Sequence, residues 1–123
     1  KQLEYSQRLR HRGRNLMARR EGESTGRGLY DTALAGGARA LGRRIGALAP
    51  GHRADIVVLD AANVDLAAVS GDRWLDSYIF VAGKTAIDRV MVGGDEVVTA
   101  GRHRARERIA ARYARTVTRL AAK

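Results

Sequence analysis

Few side chains in these 123 residues could act together in a reaction. The three histidines, His11, His52 and His103, stand in three separate segments. None has the H-x-H or H-E-x-x-H spacing that would bring two imidazoles to one metal ion. Asp55 and Asp60 bracket an aliphatic run, and Asp55 closely follows Pro50-Gly51. A carboxylate just after such a turn commonly accepts backbone N–H bonds, so a structural role is expected there. Ser24 and Ser70 have no histidine nearby in sequence and read as a helix cap and a loop residue. Gly26-Arg27-Gly28 is too short to cradle a phosphate, and the glycine-rich loop with a following lysine that does so is missing. There is no cysteine, hence no thiolate and no disulfide framework, which fits a cytoplasmic protein. Pro50, Gly51, Asp55, Gly93 and Gly94 stand out as structural turn and strand residues. No catalytic, metal-binding or substrate-binding residue is expected on this stretch.

Charge narrows the classes further. The formal net charge is +10, with +5 in residues 1–22, −2 in 23–101 and +7 in 102–123. A near-neutral middle flanked by basic ends reads as a core with two solvated arginine-rich helices. The alternative is an anionic partner, nucleic acid included. No apolar run approaches the roughly 20 residues needed to span a bilayer, and no signal-peptide pattern opens the chain.

The elements that must position these residues follow from periodicity and turn chemistry. Residues 2–20 read as a helix with Tyr5, Leu9 and Leu16 on one side, weakened by Gly13. Ser24 or Thr25 caps a second helix over roughly 26–41. Its Gly36-Gly37 pair costs about 1–2 kcal/mol of helix propensity, which predicts close packing against a neighbouring backbone. Ile45–Leu48 reads as a short strand, and Ala54–Leu59 as a longer one covered on both faces. Ala49-Pro50-Gly51-His52 between them has type II turn chemistry. After a loop around Ser70-Gly71-Asp72, Trp74 and Leu75 anchor the chain to the core. Tyr78–Ala82 and Ile87–Val92 read as strands joined by a turn at Gly83-Lys84. Val92-Gly93-Gly94-Asp95 is a tight hairpin leading into Glu96–Thr99, which Gly101 ends. Arg102–Lys123 reads as a basic amphipathic helix, with Ile109, Tyr113, Val117 and Leu120 within about 80° of one another at 100° per residue. Arg108, Arg112, Arg115 and Arg119 form a second stripe. Its expected seat is its own domain or a sister subunit, because so narrow and alanine-rich a stripe is weak for a membrane.

Three strings carry a resemblance. GGARALGRRIGALAPGHRADIVVLD looks like the segment that leaves the barrel and enters the small β-sandwich in amidohydrolase-superfamily deaminases. LEYSQRLRHRGRNLM and STGRGLYDTALAGGARALGR resemble, more narrowly, the formimidoylglutamate deiminases of histidine degradation. The likeness covers most of residues 2–103. It implies an α+β fragment from the C-terminal portion of a longer enzyme, in keeping with a first methionine at Met17. Residues 1–44 would be the last helices of a TIM-type (β/α)8 barrel, 45–101 part of the small composite β-sandwich, and 102–123 a C-terminal basic amphipathic helix. The parent would hydrolyse N-formimidoyl-L-glutamate to N-formyl-L-glutamate and ammonia on a catalytic zinc. None of the family's metal-binding motifs falls on a residue here, and the aspartate that completes the set would lie upstream of Lys1. The 123 residues alone are therefore expected to be inactive and zinc-free. The small-molecule substrate would meet the missing barrel, the rest of the chain would cover this part, and the parent would be a homodimer. Another deaminase acting on a guanine- or cytosine-like ring is the nearest alternative. A stand-alone nucleic-acid-binding domain using residues 102–123 is the other, although only Tyr113 interleaves with those arginines.

Overall fold

The computed structural model describes residues 1–18 and 20–122. The described residues form four α-helices, a few short 3-10 and π-helical turns and one antiparallel sheet. Helix α1 spans Gln2–His11, α2 Thr25–Leu41, α3 Arg73–Ser77 and α4 Arg106–Ala121; the strands are β1 Ile56–Leu59, β2 Ile87–Val92, β3 Asp95–Thr99 and β4 Arg102–His103. The sheet order is β1-β2-β3-β4. Among the described residues no helix is long and apolar enough to cross a membrane.

Helix α2 forms where its local chemistry directs. The Ser24 hydroxyl accepts the Arg27 N–H at 2.9 Å, and Gly42 ends the helix at φ +59 by donating to the carbonyls of Ala38 and Arg39. The hairpin between β2 and β3 is equally local. Gly93 and Gly94 adopt φ +64 and +90, the two positive values a type I′ turn needs, and Val92 pairs with Asp95. A second two-residue turn, Ala100-Gly101 at φ +47 and +69, brings β4 back along β3, with Val98 opposite His103.

The fully buried apolar core is small: Leu66, Ala82 and Ala86, with Leu59, Val69, Trp74 and Tyr78 packed against it. Trp74 is pinned by its indole N–H, which donates to the Val69 carbonyl at 2.8 Å. A single hydrophobic core of this size is far less than a chain of this length normally encloses. Leu9, Leu41, Leu48 and Val64 are among the large apolar side chains left more than half exposed.

Several sequence expectations are corrected. Helix α1 stops at His11, not residue 20, because Arg12 turns left-handed at φ 49 and the next segment folds back; Arg19 lies outside the described residues. Ile45–Leu48 is a run of bends, not a strand. Gly46 at φ +82 brings its Cα beside the Leu34 carbonyl, and the one bond from Arg53 N–H to Arg44 O at 2.8 Å is not extended into a ladder. Tyr78–Ala82 is not a strand but a π-helical turn continuing α3. Its unbroken apolar run suits a turn that puts Tyr78 and Ala82 on the core, and that tertiary demand overrides β propensity. The strand after Pro50 covers only Ile56–Leu59, and its covering is incomplete, with Val57 45% exposed. Arg102–His103 belongs to the sheet, the last helix starts at Arg106, and Lys123 lies outside the described residues. The described residues of that helix are exposed along its whole length.

Candidate functional site

The residues able to do chemistry are dispersed. His11 ends α1, His52 follows the Pro50-Gly51 turn, and His103 lies in β4, where its Nδ1 accepts the Ala105 N–H at 3.1 Å. Among the described residues no group of three or more His, Cys, Asp or Glu could hold a metal ion. Two joints, each built from single residues, order the described segments.

The first joint lies at the hairpin end of the sheet. Asp55 Oδ1 accepts the Gly93 N–H at 2.8 Å, and the Gly94 N–H donates to the Ala54 carbonyl at 2.9 Å. Arg53 pairs with Asp55 Oδ2 at 3.3 Å and lies over Gly93. Asp55, Gly93 and Gly94 thus meet at one point. Pro50 and Gly51 form the neighbouring turn, with Gly51 at φ +80 and the His52 N–H donating to Ala49 O at 3.1 Å. Asp60 caps the far end of β1, its Oδ1 accepting the Ala62 N–H at 2.9 Å while its own N–H donates to Ala86 O at 2.8 Å.

The second joint ties α1, α2 and α3 together, and sequence reasoning missed it. Glu4 is completely buried. Its Oε1 accepts from Arg8 Nε at 2.8 Å and the Leu16 N–H at 3.1 Å, and its Oε2 accepts the Met17 N–H at 3.1 Å. A buried carboxylate is tolerable only when paired and hydrogen-bonded in this way. Arg8 in turn lies 5.4 Å from the Tyr5 ring and 5.3 Å from the Phe80 ring, which joins α1 to the π-helical turn through cation–π contact. By holding Leu16 and Met17, Glu4 delivers the Met17 carbonyl to α2 at Gly28. A Cβ at Gly28 would lie 2.4 Å from that oxygen. Two residues earlier, a Cβ at Gly26 would meet the Leu75 and Asp76 backbone at 2.6 Å, while the Gly26 N–H donates to Asp76 Oδ1 at 2.7 Å. The only sequence trace of this joint is the Glu4/Arg8 spacing, common to any solvated i,i+4 pair.

A cleft of about 440 Å³ opens where α2 meets α3, walled in part by Ser24, Arg27, Asp31, Asp72 and Asp76. Its acids are engaged: Arg27 reaches Asp31 at 3.2 Å and Asp72 at 3.4 Å, and Asp76 holds Gly26. Two groups have displaced acidities. Burial, with Tyr30 nearby, pushes the Tyr78 phenol up, and the side-chain hydrogen bond from Arg102 holds Glu107 down. Neither sits among groups that could make it a general acid or base.

Comparison with known proteins places this arrangement. The amidohydrolase family pattern matches residues 7–97. Formimidoylglutamate deiminase of Pseudomonas aeruginosa is 48% identical over 118 residues, an overlap of 96% of this chain and 26% of that protein. The crystal structure of an amidohydrolase from Brucella melitensis superposes with a TM-score of 0.83 at 40% identity, covering 97% of this chain and 26% of that one. The chain thus spans about a quarter of the length of these relatives. The family pattern runs from within α1 through the loop that Glu4 holds and on into β3, and the chain belongs to the amidohydrolase family.

Proposed function

We propose that these residues are the C-terminal portion of a metal-dependent amidohydrolase that converts N-formimidoyl-L-glutamate to N-formyl-L-glutamate and ammonia. The observation that carries this is the 48% identity to a formimidoylglutamate deiminase across 96% of the chain. Identity at that level across α1, α2 and the sheet weighs against a guanine- or cytosine-directed deaminase and against a stand-alone nucleic-acid-binding domain. In the reaction, water adds to the formimino carbon and ammonia leaves. A zinc ion in the intact protein would supply Lewis-acid activation of that water. The described residues do not form a site for it.

In this assignment residues 1–44 are the closing helices of a (β/α)8 barrel, 45–101 part of the small β-sandwich and 102–123 the terminal helix. The small core and the exposed Val57, Leu9 and Leu41 then leave surfaces for the rest of the protein to cover. Glu4, Gly28 and Asp76 set α1 against α2 and α3, and so set the direction in which the chain enters α1 from the barrel. The test is ammonia release from N-formimidoyl-L-glutamate by the intact protein. Turnover of that substrate with none of guanine or cytosine is the expected result. The reverse preference would overturn the assignment.

A further inference from the structure

We draw no further inference here: the strongest candidate, the side-chain cluster in which Tyr5 and Arg8 of α1 meet Phe80 of the π-helical turn, belongs to the joint already described, and nothing in the structure shows what it would act on beyond that joint.

Discussion

Helix α2 carries two pairs of glycines in opposite surroundings. At its first turn, Gly26 and Gly28 are buried, and a single added carbon at either would come within 2.6 Å of another segment's backbone. Three turns later, Gly36 and Gly37 have nothing within 4 Å of where a Cβ would stand. From sequence, the adjacent pair is the more conspicuous and is expected to receive a neighbouring backbone. Among the described residues the close approach is made at the other pair. Spacing along a helix records propensity, whereas close approach depends on what arrives from elsewhere. Here the Met17 carbonyl arrives because Glu4 holds it, and Leu75–Asp76 arrive because Asp76 accepts the Gly26 N–H.

The contrast can be broken by substitution in the intact protein, beginning with the largest expected effect. Gly28→Ala should cost about 3 kcal/mol, at the upper end for overpacking, because the atom it meets is a backbone oxygen that cannot swing aside. Thermal unfolding of the variant measures it, and an unchanged midpoint would mean that α1 and its loop do not pack here. Glu4→Ala should cost about 2–3 kcal/mol, since it leaves the Leu16 and Met17 amides without their acceptor and Arg8 without its partner. Faster hydrogen exchange at those two amides should accompany the loss. The exposed Glu107→Ala serves as the control that leaves both readouts alone.

Gly36→Ala sharpens the same comparison in the other direction. With open space at that position, alanine should stabilise the helix by up to about 1 kcal/mol through propensity alone. A loss in place of this gain would show that the remainder of the intact protein lies against α2 at Gly36, as Gly28 is covered here. The smallest effect concerns Tyr78, beside the core. Its phenol is raised above the ordinary value of 10.0, mainly by burial. Its contribution is intact below pH 10 and fades as pH climbs past that value, because the unfolded chain then releases the proton first. The unfolding midpoint of the wild type should fall slightly more steeply above pH 10 than that of Tyr78→Phe. Parallel curves would discount the burial of that hydroxyl.

How much was legible in the sequence depends on the range of the interaction that decides each feature. The Ser24 cap, the tight hairpin at Gly93-Gly94 and the positive φ at Gly51 are set within about four residues, and residue type alone announces them. The three strings that mark the amidohydrolase family are legible for the same reason, because a resemblance is carried by the residues themselves. The amphipathic arc of α4 is likewise a matter of spacing, although the start of the helix was misplaced because Arg102–His103 pair with β3.

Other features depend on partners far along the chain. Glu4 looks like a solvated acid until Leu16 and Met17 fold back on it, 12 and 13 residues away. Tyr78–Ala82 has the composition of a strand, and only packing against Leu66 settles it as a helical turn. The burial of Gly26 is fixed by Asp76, 50 residues on. Turns and caps are short-range chemistry that the sequence states by itself. Which carboxylate is buried and which glycine is indispensable were decided by tertiary structure, because desolvation and close backbone approach exist only after distant segments meet.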